Sequence, residues 1–210
     1  MNSALVEVLT SVVALLAIMD PLGNVGIVVS ITEGDTARVR SRQVWRGHLF
    51  AAILLMVFYF VGAQIMGFFD ITIDAVRVAG GLILVKIGFD LLAMKEETRS
   101  TRAEQSADRR RKDIAFFPLA MPLVAGPGAL TLVLTKSVDV SRGGLEGIVI
   151  DISAILIATA VSMGVLLSTG WFTRVLGVSG MAAVSRLMGF ILVCISVQMV
   201  ILGVKGVLAN

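Results

Sequence analysis

The sequence has few of the residues on which soluble enzymes and redox proteins depend. It contains one cysteine, one histidine, one tyrosine and four prolines among 210 residues, and only 16% of its residues are charged. The single cysteine excludes an intrachain disulfide, and no cluster of His, Cys, Asp or Glu has metal-ligand spacing. No Walker-type Gly-Lys-Ser/Thr motif is present. We therefore expect no enzymatic activity, no cofactor and no ATP-driven mechanism.

Apolar residues dominate instead. They make up 57% of the chain, with a mean hydropathy of +0.93, against about 45–50% in a soluble domain. The N-terminus carries Glu7 and no Lys or Arg, unlike a cleavable signal peptide, so we expect it to be retained. Six apolar stretches approach the length of about 20 residues that crosses a bilayer. They lie at about 5–31, 48–69, 75–94, 114–136, 146–169 and 185–207. The sequence predicts an all-α membrane protein with six transmembrane helices.

A charged segment divides the chain into two halves. Residues 95–113 hold ten or more charged residues and no aliphatic residue larger than alanine, which is typical of a solvated linker between residues 1–94 and 114–210. Connections on the linker side of the membrane carry 13 Lys and Arg residues, against four on the other side. The positive-inside rule therefore predicts an inner-membrane protein with a cytoplasmic linker and both termini outside. We attribute the basic cluster to topology and expect no nucleic-acid partner.

The two halves resemble each other weakly. "RVAGGLILVKIGFDLL" at 77–92 and "RLMGFILVCISVQMVI" at 186–201 both have Arg-x-x-Gly followed by a run containing Ile-Leu-Val. Asp20-Pro21 likewise lies 106 residues before Gly126-Pro127. Because each half has three spans, the second copy must cross the membrane in the opposite sense. This pattern predicts two inverted three-helix repeats, a plan of many secondary transporters.

Helix-breaking residues interrupt spans 1 and 4 at matching places. Asp is a favoured N-cap and Pro a favoured first helical residue, so each break is expected to end one half-helix and start another. Such a break in a membrane must be buried or line a cavity, and a helix N-terminus suits an anion. We predict a small pocket for a carboxylate-bearing substrate, although the same residues are also compatible with helix packing alone. The candidate binding residues are Asp20, Pro21, Gly23, Asn24, Gly126, Pro127, Gly128, Ala129 and Thr131.

Other polar residues in the spans are candidates for ion coupling, because ionisable groups are costly in a membrane. Asp20 is expected to cap a helix, or to bind the substrate ammonium, a cation or a proton. Asp90 aligns with Gln198 in the repeat, which predicts that both face a shared interior. These three residues are the coupling candidates, for either a proton or sodium. Asp151 and His48 are expected at the membrane interface.

The interrupted segments resemble a known family. "MDPLGNVGIVVSIT" and "PLAMPLVAGPGALTLVL", together with the two repeat segments, resemble the MarC family of integral membrane proteins, which includes the SnatA-type small neutral amino acid transporters. The resemblance covers essentially the whole chain. It implies six spans in two inverted triplets, discontinuous spans 1 and 4, and transport of glycine, alanine or similar substrates. Many members have Pro where this sequence has Gly26, a departure that bears on substrate choice.

The expected partners follow from this interpretation. They are the lipid bilayer, a small neutral amino acid and a coupling proton or sodium ion, and a homo-oligomer is left open. Two other classes of protein also remain open, an ion channel and a membrane scaffold that transports nothing. A channel would pass current without saturation, whereas a scaffold that stays folded would tolerate loss of Pro21 and Pro127.

Overall fold

The chain is helical throughout the part that the structure, a computed structural model, describes: residues 3–32, 35–93 and 114–209. The predicted linker 95–113 lies outside these residues. Two short helices, one on either side of Asp20, open the chain, and a π-helical segment follows the undescribed linker. The elements are α1 (Ser3–Met19), α2 (Pro21–Ile31), α3 (Ala37–Phe68), α4 (Ile73–Ala93), the π-helical segment (Ala115–Val124), α5 (Pro127–Leu167), α6 (Thr169–Val175) and α7 (Gly177–Ala209).

Four stretches of the described helices are long and apolar enough to cross a membrane. They are Ala4–Val29, which joins α1 and α2, Ala37–Phe68, Gly144–Leu167 and Ala182–Ala209. The expectation of an all-α membrane protein agrees with this architecture. Two of the six predicted spans, 75–94 and 114–136, are absent from this set. The helix α4 carries several charged residues, and the chain over 114–136 is divided near Gly126 into shorter helices.

The long helix α5 consists of two arms. Gly144 has φ +59° and ψ −149°, a conformation that favours glycine because it has no Cβ. The chain turns there, and residues 127–143 form a first arm while Gly144–Leu167 form a second arm. The two arms lie side by side, because Lys136 Nζ of the first is 3.6 Å from Asp151 Oδ1 of the second.

The helices α4 and α7 pack closely along a seam of glycines. A methyl group on Gly88 would lie 3.0 Å from the Gly189 carbonyl oxygen, and one on Gly81 would lie 2.8 Å from that of Ser196. Later residues of α4 therefore contact earlier residues of α7, which means that the two helices are antiparallel. Small residues let two helix backbones approach each other, which is the usual basis of helix packing in membranes.

Three buried apolar clusters hold the helices together. The largest joins α1, α3, the π-helical segment and both arms of α5. A second lies between α2, α3, the π-helical segment and the end of α5, and a third between α4 and α7. Representative members are Leu15, Leu55 and Ile155 of the first, Val28, Val44 and Leu166 of the second, and Leu84, Leu192 and Met199 of the third. The ends of α1 and of the π-helical segment both lie in the largest cluster, so they are fixed relative to each other.

Candidate functional site

Asp20 is the single residue between α1 and α2. Its φ of +37° lies in the left-handed region, which costs roughly 1–2 kcal/mol for a residue with a Cβ. Its buried side chain compensates, because Oδ1 accepts hydrogen bonds from the Gly23 backbone N–H at 3.1 Å and from the Ser185 hydroxyl at 3.0 Å. The first of these bonds is that of an N-cap. The second ties the start of α2 to α7.

The N-terminus of α2 is closely occupied by its own chain. A methyl group on Gly23 would overlap the Asp20 carboxylate, so only glycine leaves room for this cap. The Asn24 backbone N–H donates to the Asp20 carbonyl oxygen at 3.0 Å. Pro21 has no N–H, is buried, and occupies the first helical position. The N–H groups of Gly23 and Asn24 are therefore both satisfied within the chain.

The second interruption follows the π-helical segment. There the Leu119 N–H donates to the Ile114 carbonyl at 3.2 Å and the Ala125 N–H to the Ala120 carbonyl at 2.8 Å, the wider spacing of a π-helix. The amino acid at position 118, four residues after Ile114, is proline and supplies no N–H, so the α-helical bond to the Ile114 carbonyl is not available there. Turns of π-helix are frequent at functional sites.

The helix α5 then begins at Pro127 with an uncapped N-terminus. Gly126 at the cap position has extended backbone and no side chain to accept a hydrogen bond. The Leu130 N–H donates to the Gly126 carbonyl at 3.0 Å, but within the described part of the chain no such bond is formed by the N–H groups of Gly128 or Ala129. The two interruptions therefore differ, since a carboxylate caps the first and no described side chain caps the second.

Asn24 joins the two interruptions. Its buried Nδ2 donates to the Met19 carbonyl oxygen at 2.8 Å and to the Leu123 carbonyl oxygen at 3.3 Å. These are carbonyls at the ends of α1 and of the π-helical segment, where a helix leaves acceptors without a partner. One side chain thus holds both helix ends together across 99 positions of sequence.

The remaining predicted site residues pack against neighbouring helices. Ala129 is fully buried and Pro127 is exposed. A methyl group on Gly128 would approach Leu84 of α4 within 2.7 Å. The Thr131 hydroxyl donates to the Pro127 carbonyl at 2.9 Å, and its methyl group faces Gly80 of α4. Thr131 therefore bonds its own helix, the alternative that the sequence left open.

Two coupling candidates lie on the outer surface. Asp90 of α4 and Gln198 of α7 are both exposed, which contradicts the expectation that they face a shared interior. The inward positions of these helices are taken by Gly88, Leu84 and Leu192, because the glycine seam sets how each helix is rotated. Asp20, the third candidate, is buried at the first interruption.

Two residues expected at the membrane interface, His48 and Asp151, are buried within the protein. His48 is 1% exposed; its Nδ1 lies 2.8 Å from the Val44 carbonyl, to which it donates, and its Nε2 lies 3.1 Å from the Ser162 hydroxyl. Asp151 is 7% exposed. The contact with Ser162 places His48 against α5.

The surroundings of Asp151 form a polar cluster that the sequence did not reveal. Tyr59 of α3 donates its hydroxyl to Asp151 Oδ2 at 3.3 Å, and Lys136 pairs with Oδ1 at 3.6 Å. Both lie beside a small cleft between α1 and the two arms of α5. The sequence signals were an acid in an apolar run and the only tyrosine of the chain. The cleft, called here the Lys136 cleft, is lined by Ser11, Leu15, Leu132, Val133, Lys136, Asp151, Ala154 and Ile155.

The apolar helices and the polar groups buried among them define an all-helical integral membrane protein. The chain belongs to the MarC family of integral membrane proteins, whose family model matches residues 5–208. It is 35% identical over 205 residues to the inner membrane protein MarC of Salmonella typhimurium and 36% identical to that of Citrobacter koseri, each alignment covering 93% of both chains. No solved structure matches it. The family predicted from the interrupted helices is confirmed, and these relatives are inner membrane proteins.

Proposed function

We propose that this protein is a secondary transporter of small neutral amino acids of the glycine and alanine class, which bind where the two helix interruptions meet. The observation that carries the proposal is the unequal polarity of the two helix N-termini. A buried carboxylate, Asp20, occupies the start of α2. The start of α5 at Gly126 presents N–H groups that no side chain in the described ranges caps.

This arrangement matches an amino acid zwitterion. The uncapped N-terminus of α5, with about half a positive charge, suits the substrate carboxylate. Asp20 suits the substrate ammonium, because charge-assisted hydrogen bonds are the stronger ones. Asn24 brings the two groups into one region through its bond to Leu123. The proposal thus assigns the carboxylate to α5 alone, since the Gly23 and Asn24 N–H groups of α2 are already satisfied.

The packing around α5 supports a small substrate. Ala129 is fully buried, and Gly128 lies against Leu84, Ile18 and Ile87. A large substrate side chain beside this turn would have to displace these apolar groups. Glycine and alanine add almost nothing beyond the carboxylate and ammonium, so they fit the site best.

The proposed transport mechanism is alternating access between two inverted three-span repeats, with spans 1 and 4 discontinuous. The antiparallel seam of α4 and α7 supports this plan, because a twofold axis in the membrane plane makes equivalent helices antiparallel. Both termini are proposed to lie outside and the 95–113 linker in the cytoplasm, from the distribution of Lys and Arg.

Binding of labelled alanine to the purified protein tests the substrate class. Glycine should compete well and leucine poorly. Alaninamide, ethylamine and propionate should also compete poorly, because each lacks either the carboxylate or the ammonium. If the protein is a channel or a scaffold, alanine should not bind saturably, and that result would refute the proposal.

The variant Gly126→Asp tests the site itself. An aspartate at the cap position would accept hydrogen bonds from the first turn of α5, which stabilises the helix and occupies the donors. Alanine affinity should fall about tenfold to a hundredfold, the equivalent of one charge-assisted hydrogen bond. Gly126→Ala is the matched control, because it adds a side chain without an acceptor. Unchanged affinity in Gly126→Asp would place the carboxylate elsewhere.

A further inference from the structure

The Lys136 cleft contains an ionisable cluster that the proposed substrate site does not use. Asp151 is 7% exposed and lies seven residues beyond the kink at Gly144, about 10 Å along the second arm of α5. A carboxylate buried in a membrane helix is costly, so its presence indicates a function or a specific partner. Its partners come from two other parts of the fold.

Lys136 and Tyr59 are titratable groups of the described segments that face Asp151 from the elements packed against it. Lys136 of the first arm lies 3.6 Å from Oδ1, and Tyr59 of α3 donates to Oδ2 at 3.3 Å. The third element, α1, contributes Ser11 to the lining of the cleft. The Lys136 side chain is 38% exposed and the Asp151 side chain is 10% exposed, so the ion pair is more open on the Lys136 side. The rest of the lining is hydrocarbon, including Leu15 and Val133.

The ion pair joins segments that differ in their proposed roles. Lys136 lies on the same arm as Gly126 and Pro127, about 14 Å along that helix from the proposed carboxylate site. Asp151 lies on the apolar second arm. A change in the charge of Asp151 therefore strengthens or removes the link between the substrate-binding arm and its neighbour.

We infer that Asp151 is the proton-binding group of the transport cycle, with Lys136 as its partner in the deprotonated state. A proton from the aqueous phase on one side of the membrane binds Oδ1, the carboxylate becomes a neutral acid, and the ion pair with Lys136 is lost. The arms then keep their apolar contacts but lose this polar link. This inference rests on the proposed transport function and supplies the coupling ion.

The chemistry of the cluster favours a proton over a sodium ion. The Lys136 ammonium already occupies the position of a cation next to Asp151 and repels another one. A hard cation needs several oxygen ligands, whereas the walls of the cleft are largely apolar. A proton needs only the one carboxylate oxygen.

Transport in liposomes tests the inference with Asp151→Asn. With an imposed gradient of one pH unit, and one proton per substrate, wild-type protein should concentrate labelled alanine up to about tenfold in one direction. The variant should still exchange labelled for unlabelled alanine but bring the concentration ratio to about one. Glu146→Gln is the matched control, because it removes an exposed acid from the same arm. Accumulation by Asp151→Asn at the wild-type ratio would overturn the inference.

Two further measurements test the inference if Asp151→Asn does not fold. Asp151→Asn combined with Lys136→Met removes both charges together, and it should show the same loss of accumulation with retained exchange. A hydrophobic carbodiimide, which reacts with protonated carboxyl groups, should label Asp151 of the wild-type protein less as pH rises, as located by mass spectrometry. Absence of that label at every pH would refute the inference. Absence of alanine exchange by the wild-type protein would instead refute the proposed function.

Discussion

The pair of variants Gly23→Ala and Gly26→Ala separates the capping role of Asp20 from general effects of glycine in α2. Both glycines lie in the same short helix, three residues apart. A methyl group on Gly23 overlaps the Asp20 carboxylate, whereas one on Gly26, which is exposed, meets nothing within 4 Å. Each substitution gains the same intrinsic helix propensity, about 0.5–1 kcal/mol. Any difference between the two variants therefore reports on Asp20.

The expected magnitude follows from the bonds that Asp20 makes. A displaced carboxylate loses its hydrogen bonds from the Gly23 N–H and the Ser185 hydroxyl. Hydrogen bonds to charged groups contribute about 1.5–3 kcal/mol each, and partial hydration of the moved side chain offsets some of this loss. We expect Gly23→Ala to lower the free energy of unfolding by roughly 1–3 kcal/mol after the propensity gain. Gly26→Ala should raise it by about 0.5–1 kcal/mol.

Thermal unfolding of the detergent-purified variants measures this difference, and binding of labelled alanine measures its effect on the site. Gly23→Ala should melt at lower temperature than wild type and bind alanine more weakly, because Asp20 is the proposed partner of the ammonium. Gly26→Ala should melt at the wild-type temperature or above it and bind normally. If the two variants melt together, Asp20 does not depend on the space at Gly23, and the cap described here is wrong.

Three further predictions follow from the geometry. Asn24→Ala leaves the Met19 and Leu123 carbonyls without their donor, and should lower the free energy of unfolding by about 1–3 kcal/mol in chemical denaturation; wild-type stability would show that the two interruptions hold together by other contacts. Asp90→Asn, at an exposed position, should leave alanine accumulation in liposomes unchanged. Loss of accumulation in this variant would indicate that Asp90 takes part in ion coupling. A reporter active only outside the cytoplasm, fused after residue 210, should be active; activity from a cytoplasmic reporter alone would contradict the six-span topology.

The helix boundaries at Met19, Pro21 and Pro127 have local causes. A proline lacks an N–H and fixes its own φ, and an aspartate before it can cap the next helix without help from distant residues. The structure accordingly ends α1 at Met19 and begins α2 at Pro21, and it begins α5 at Pro127. The membrane class and the family were equally accessible, since hydropathy and short motifs are properties of the chain alone.

The orientation of side chains was not predictable from the same sequence. Apolar residues surround these helices on all sides, so no polar stripe marks the outward face. Helix rotation is then decided by packing, as where the glycine seam between α4 and α7 leaves Asp90 and Gln198 outside. Packing also buries Asp151, because it places Tyr59 and Lys136 of other segments against the Asp151 carboxylate.

The sequence by itself determined that this protein is an apolar, helical membrane protein with helix-breaking residues near Asp20 and Gly126. Hydropathy, proline and glycine act over a few residues, and nothing distant is needed to produce those effects. Only the tertiary structure decided that Asp20 caps one interruption while no described side chain caps the other, that Asn24 bridges them, and that Asp151 lies beside a cleft. These features join residues up to 165 positions apart, and such contacts exist only once the helices have packed.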